Sequence, residues 1–198
     1  MEHLPQMQYL TAAALGLGLA ACSGFRVFVP LLAASLAHHF GWLPAAAGFA
    51  WLGSWPAIVT LAVATVVELL GYYVPVVDNF LDTLTTPASF VAGGLLMTST
   101  LPHLDPATRW TLGILVGGGT AGLEQSGTAL LRVGSTATTG GLGNPVLATL
   151  ENVAAVLGSL LALLMPVVAA GLAIGLVVLI LLRLRRWGQR RAARNGTI

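Results

Sequence analysis

Apolar residues in this chain form long runs separated by short polar breaks. These runs cover residues 9–37, 56–73, 110–131 and 145–184. A helix needs about 20 apolar residues to cross a bilayer, so each of the first three runs predicts one span. The last run has about twice that length and predicts two spans with a tight turn at residues 165–166, because a single helix would project bare leucines into water.

The region between the second and fourth runs combines an amphipathic helix with a short apolar stretch. Residues 87–101 are too few to span alone, unless the amphipathic turns before them also enter the membrane. We take them as a third span, so the prediction is six spans with both termini cytoplasmic. A polar stripe with i, i+4, i+7 and i+11 spacing precedes and enters this span, and consists of Asp78, Asp82, Thr85 and Ser89.

The two halves of the apolar region, residues 9–101 and 110–184, show similar features in the same order. Three spans per half would place the second half upside down relative to the first, as in many secondary transporters. The alternative is that Gly- and Ala-rich helices resemble one another by composition. The matching features are residues 16–24 with 119–127, Pro56 with Pro145, and Pro87 with Pro166.

Composition excludes a water-soluble domain. Of the 198 residues, 56% are hydrophobic and only 8% are charged, whereas soluble domains carry roughly 25% charged residues. The sequence therefore predicts an all-α, polytopic membrane bundle, with an N-terminal segment at 1–8, one transmembrane domain at 9–184 and a tail at 185–198. The N-terminus lacks the basic region of a signal peptide, which indicates that the first span is retained.

Basic residues are concentrated at the C-terminus. Such a segment directly after an apolar span indicates a cytoplasmic C-terminus in the inner membrane and attraction to anionic lipid headgroups. Nucleic-acid binding is not expected, because no aromatic or groove-reading pattern accompanies the charge. The arginines concerned are Arg183, Arg185, Arg186, Arg190, Arg191 and Arg194.

Several charged residues fall within the predicted spans or beside them. A charge at the bilayer centre costs about 2.5–3.5 kcal/mol on insertion scales, so such side chains face the protein interior and find partners there. Five carboxylates against two arginines would leave three uncompensated negative charges, which favours a cation or protons as the missing partner. The set comprises Arg26, Glu68, Asp78, Asp82, Glu124, Arg132 and Glu151.

Oxygen ligands are concentrated around the second and third spans. They could hold a hard cation or relay protons, although Asp78 and Asp82 could instead only solvate an aqueous loop. The identity of a metal stays open. The oxygen-bearing candidates here are Glu68, Tyr72, Asp78, Asn79 and Asp82.

Residues 134–144 are rich in glycine and small hydroxyl side chains, which disfavours regular helix. Irregular backbone at membrane depth lines a cavity or is buried in protein, so this segment either contacts a solute or is an ordinary cytoplasmic loop. Arg26 either pairs with a carboxylate across the bundle or binds an anionic group. The further candidates for solute contact are Ser135, Thr136, Thr138, Thr139, Asn144, Glu151 and Asn152.

No hydrolase or cofactor motif is present. The single cysteine, Cys22, excludes an internal disulfide, and the chain has neither a His-x-x-x-His pair nor a GxSxG sequence. We therefore expect no enzyme and no cofactor.

Four segments resemble an uncharacterised bacterial membrane family, domain of unknown function 4126. They are SGFRVFVPLL (23–32), Glu68 followed by YYVPVVDNFLDT (72–83), GSTATTGGLGNP (134–145), and Glu151-Asn152. The resemblance covers about residues 10 to 182. It implies an inner-membrane protein and carries over no substrate.

The leading hypothesis is a transporter or channel for a small solute, preferably a cation or a proton-coupled substrate. The alternative is a non-transporting scaffold, assembly or lipid-binding protein, in which the charges form structural pairs. A membrane enzyme acting on lipid headgroups ranks third. The chain is also compatible with a homo-oligomer.

Overall fold

The computed structural model describes residues 3–44 and 46–195. Within them, the side chains of residues 3–5, 75, 76, 78, 79, 187, 188 and 190–195 lie outside the description. The described backbone is helical and contains no strand. The helices are α1 (His3–Ser23), α2 (Phe28–His39), α3 (Trp55–Gly71), α4 (Pro75–Ser99), α5 (Pro106–Leu112), α6 (Gly119–Thr139), α7 (Asn144–Leu164) and α8 (Pro166–Asn195).

Local sequence signals set several helix ends. Ser54 caps α3 by accepting a hydrogen bond from Ala57 N at 3.4 Å, and Asp105 caps α5 through Thr108 N at 3.0 Å. A π-helical segment, Gly113–Gly118, joins α5 and α6 into one continuous rod. The rod ends at Gly140, whose φ of +65° is the left-handed conformation typical of a helix C-terminus.

The first predicted span is two helices rather than one. Residues 24–27 leave helical geometry, and the chain turns back there, so α1 and α2 form a hairpin. The expectation of a single span over residues 9–37 was therefore wrong. The physical reason for the break is the Glu68 carboxylate. It accepts hydrogen bonds from the N–H groups of Val27 at 2.7 Å and Phe28 at 2.9 Å and so fixes the start of α2.

Contacts between helices define the directions of the chain. Gly18 of α1 packs against Ala162 of α7, while Cys22 packs against Gly158, so these two helices run antiparallel. The same comparison makes α4 antiparallel to α1 and to the α5–α6 rod. We call the end of the bundle that holds the α6–α7 turn the tail end, and the end that holds the α7–α8 turn the far end.

The described chain begins and ends at opposite ends of the bundle. Helix α1 starts at the far end, and α8 leaves at the tail end. The α1–α2 hairpin adds a reversal that the hydropathy pattern does not show, and the expectation that both termini are cytoplasmic stays a prediction.

Three helices are long and apolar enough to cross a membrane within the described residues: Phe80–Ser99, Asn144–Leu164 and Pro166–Arg186. Phe28–His39 and Trp55–Gly71 are shorter apolar helices. The turn predicted at residues 165–166 is confirmed, since α7 ends at Leu164 and α8 begins at Pro166. The third stretch is also joined to its amphipathic turns, because α4 continues through Pro87.

The six-span inverted repeat is not confirmed. Residues 16–24 and 119–127 lie on helices that run parallel, whereas Pro56 and Pro145 begin helices that run antiparallel. A single inversion cannot relate both pairs.

Small residues allow the backbones of α4 and the α5–α6 rod to touch. A Cβ placed on Gly93 would lie 2.5 Å from Ala121 Cβ and 2.6 Å from Gly117 O. Such close approach is typical of helix packing in membranes. The outward faces of α3, α7 and α8 carry exposed apolar side chains such as Leu70, Leu157 and Leu172, which suit a lipid environment.

Candidate functional site

The tip of the α1–α2 hairpin places Arg26 among the other helices. Its guanidinium donates from Nη1 to Glu151 Oε2 at 2.8 Å, from Nε to Asn152 Oδ1 at 2.5 Å, and from Nη2 to Ala148 O at 3.1 Å. A further bond goes from Nη1 to Phe25 O at 2.8 Å. Arg26 is 2% exposed, so its charge is neutralised inside the protein by α7.

A second arginine reaches the same carboxylate from α6. Arg132 donates from Nε to Glu151 Oε1 at 3.3 Å and also contacts Glu151 Oε2 through Nη2. Its Nη1 lies 3.6 Å from Asp82 Oδ1 of α4. Two arginines and two carboxylates therefore form one buried ion-pair network, which we call the Arg26 cluster: Arg26, Asp82, Arg132, Glu151 and Asn152.

Tyr72 provides an aromatic wall for this cluster. The guanidinium carbons of Arg26 and Arg132 lie 3.8 Å and 4.3 Å from the centroid of its ring, which adds cation–π attraction to the ion pairs. Its hydroxyl is 2.9 Å from Thr85 Oγ1, and Gln125 Nε2 donates to the same oxygen at 3.3 Å. The described part of the polar stripe on α4 thus faces the interior of the bundle.

Glu68 lies beside the cluster but caps a helix instead of pairing with an arginine. Its two carboxylate oxygens are taken by the N–H groups at the start of α2, where the partial positive charge of a helix N-terminus also favours an anion. The structure therefore accounts for one of the three negative charges that remain when the five carboxylates of the spans are set against the two arginines.

An open cleft leads from the tail end to the cluster. It measures about 590 Å³ and lies between α4 and α6. Asp82, whose side chain is 25% exposed, lines it together with Arg132, and Thr83, Thr86, Thr136 and Asn144 add polar groups. Helical rise of about 1.5 Å per residue puts Arg132 roughly 10 Å inside the end of α6 at Thr139.

Polar residues from distant parts of the sequence converge on the Arg26 cluster and its surroundings. Of the residues predicted for solute contact, the structure brings together Arg26, Glu68, Tyr72, Asp82, Glu151 and Asn152. Glu124 lies apart, against Gly24 of the hairpin and in a different groove. The side chains of Asp78 and Asn79 lie outside the described residues.

The expectation of irregular backbone over residues 134–144 was wrong. Helix α6 continues to Thr139, and only the turn before Asn144 is non-helical. The hydroxyls of Thr138 and Thr139 satisfy themselves by donating to Gly134 O at 2.9 Å and Ser135 O at 2.8 Å. These hydroxyls are therefore satisfied within the helix.

The same hydroxyls build the α6–α7 turn. Gly143 N donates to Thr139 Oγ1 at 3.0 Å, and Asn144 Nδ2 donates to Thr136 Oγ1 at 3.3 Å. Ser135 packs beside Gly143. Of this group, Thr136 and Asn144 also line the cleft.

No three His, Cys, Asp or Glu side chains are grouped to hold a metal ion in the part of the chain that the structure describes. The predicted hard-cation set is divided instead, since Glu68 caps α2 and Asp82 faces Arg132.

Gln125 was not singled out in the sequence, whereas Arg132 was named only among the charged residues of the spans and Thr85 only in the polar stripe. Arg132 carried a signal, because it follows Glu124 by eight residues and so lies on the same face of one helix. Tyr73 and Thr149 had no such signal in the sequence. Their hydroxyls lie 3.0 Å apart beside Asn152 only because the α3–α4 turn, which holds Tyr73, lies against α7 there.

Apolar helices around a buried ion-pair network define a membrane-type helical protein. Within that class, the chain belongs to the family described as "Domain of unknown function (DUF4126)", whose sequence model matches residues 13–186. This confirms the resemblance seen in the sequence. No curated protein and no solved structure matches the chain.

Proposed function

We propose that this protein is an integral membrane transporter or channel for a small cation or a proton-coupled solute, with the Arg26 cluster on its path. The observation that supports this most is the cleft, which opens at the surface of the bundle and reaches the buried network at Arg132 and Asp82. An ion pair built only to hold helices together gains nothing from such an opening.

The broken hairpin fits this proposal. Irregular backbone at membrane depth is tolerated where it lines a cavity or is buried in protein, and transporter sites are commonly built where helices break. Residues 24–27 form such a break, and they place Arg26 directly beside Glu151.

Asp82 is the group we assign to coupling. It is the outermost carboxylate of the cluster, 3.6 Å from Arg132. A cation or proton that binds Asp82 weakens its attraction for Arg132, while Arg132 keeps its contacts with Glu151 and the Tyr72 ring. The proposal assigns no catalytic step.

The arginine-rich segment sets the orientation in this proposal. Positive residues stay on the cytoplasmic side of an inner membrane, where anionic headgroups attract them. The tail end, and with it the mouth of the cleft, is then cytoplasmic.

Cysteine accessibility tests whether the cleft is aqueous. The sole cysteine, Cys22, is buried and is replaced by Ala to give the background. We expect a membrane-impermeant maleimide to label Thr86→Cys and Thr136→Cys in opened vesicles, whereas Val156→Cys on the apolar face of α7 stays unlabelled. Equal protection of all three positions would contradict the proposal.

A scaffold is the second candidate, and one observation favours it: Glu151 is shared by two arginines, as in a structural lock. If the protein is a scaffold, replacing the cluster by uncharged residues of similar volume should leave it folded and bound to its partner. The native protein should then show no ion flux.

A further inference from the structure

A second groove lies between α6 and α8, on the outer side of the bundle. Its volume is about 390 Å³, within the range of roughly 300–1,000 Å³ typical of small-molecule sites. Phe25 of the hairpin closes its inner wall, while Leu176, Leu179 and Ile180 of α8 form an apolar side. The groove is therefore shaped for an apolar body.

Glu124 lines this groove and is 1% exposed. Its Oε1 has no hydrogen-bond partner among the residues that the structure describes. The hydroxyl one turn further along the same helix is already used, because Thr128 Oγ1 donates to Gln125 O at 3.0 Å. A buried carboxyl oxygen without a donor is costly, and a ligand that brings a donor into the groove would remove this cost.

The group belongs to no part of the Arg26 cluster. Glu124 precedes Arg132 by eight residues, about 12 Å along the helix, and Arg132 is engaged by Glu151 and Asp82. Arg183, the other charged residue of the groove, lies at its tail-end rim with Leu130 and Leu131. The titratable group on the opposite face is the buried thiol of Cys22 on α1.

We propose that this groove binds a lipophilic primary amine that enters from the membrane. The ammonium group supplies both the positive charge and the N–H donors that Glu124 lacks, and the hydrocarbon part lies along Leu176, Leu179 and Ile180. A carboxylate-bearing amphiphile brings no positive charge and only acceptor oxygens to Glu124, and a neutral alcohol supplies a single O–H donor without the positive charge. The site does not depend on the proposed transport.

Equilibrium dialysis of radiolabelled octylamine against the full-length protein in zwitterionic nanodiscs tests this, with empty nanodiscs subtracted. Octylamine is charged at neutral pH, as is the lysine side chain. We expect saturable binding that octanol and octanoate compete at least tenfold less well. Equal competition by octanol would overturn the proposal, since it would mean that only the apolar wall is recognised.

Three variants sharpen the result. Glu124→Gln keeps the volume but removes the charge and is expected to weaken binding at least tenfold; Leu179→Trp fills the groove and should do the same. Leu182→Trp, on the same helix outside the groove lining, is the matched control and should bind normally. Unchanged affinity in Glu124→Gln, with the protein folded, would contradict the assignment of Glu124.

Discussion

Arg26 binds Glu151 across 125 residues of sequence, with Nη1 2.8 Å from Oε2. The bond joins the tip of the α1–α2 hairpin to α7, so the turn of the hairpin is fixed by a helix that comes late in the chain. Both side chains are buried, at 1% and 8% exposure.

Glu151→Gln should destabilise the fold strongly. Removing one partner of a buried ion pair costs about 3–5 kcal/mol, because the other charge stays buried without compensation, and here two arginines lose the same carboxylate. Unfolding in a graded detergent series would measure it. Asp105→Asn at the exposed cap of α5 is the matched control, since Asn also caps helices well. Equal stability of the two variants would contradict the stabilising role of the Glu151 ion pairs.

Glu68 should behave as a helix cap rather than as a cation ligand. Glu68→Ala leaves the N–H groups of Val27 and Phe28 without acceptors, and each unsatisfied group costs about 1–3 kcal/mol. Glu68→Gln keeps one acceptor oxygen and should lose roughly half as much. Amide hydrogen exchange at the start of α2 reports the cap directly. If both variants exchanged like the wild type, Glu68 would have no capping role.

Much of this fold follows from the sequence, because periodicity and hydropathy act locally. The α7–α8 turn is specified by Met165-Pro166, since proline cannot continue the preceding helix. The inward polar stripe on α4 follows from its i, i+4, i+7 spacing, which puts Asp82 and Thr85 on one face.

The hairpin could not be predicted in the same way. Nothing in the local sequence reveals that the N–H groups of Val27 and Phe28 are capped by Glu68, about 40 residues later. The helix through residues 134–139 was missed because Gly and Thr have low helix propensity, which the tertiary structure overrides here. The meeting of Arg26 with Glu151 is a tertiary fact with no local signal.

Close packing of α4 against the α5–α6 rod predicts position-specific effects of added methyl groups. A Cβ at Gly93 would lie 2.5 Å from Ala121 Cβ, so Gly93→Ala should lower stability by about 1–3 kcal/mol, the usual cost of overpacking. Gly119→Ala, where nothing lies within 4 Å, should be neutral or slightly stabilising, because Ala favours helix over Gly by about 1 kcal/mol. The same detergent unfolding assay compares them, and the reverse order would contradict the packing.

Glu124 should reduce stability in the absence of a ligand. Glu124→Met keeps a similar length, removes the buried oxygen without a donor, and should raise stability by about 1–3 kcal/mol. Thermal unfolding in nanodiscs measures the shift. A lowered midpoint would mean that the carboxyl has a stabilising partner.

Ion flux into proteoliposomes decides most directly whether the Arg26 cluster lies on a path. A panel of protons, Na⁺, K⁺, Mg²⁺ and Ca²⁺ would be driven by a membrane potential, with protein-free vesicles as baseline. The transport proposal predicts flux of at least one cation above that baseline, a loss of at least tenfold in Asp82→Asn, and normal flux in Asp105→Asn. Baseline flux for the whole panel, or undiminished flux in Asp82→Asn, would contradict it.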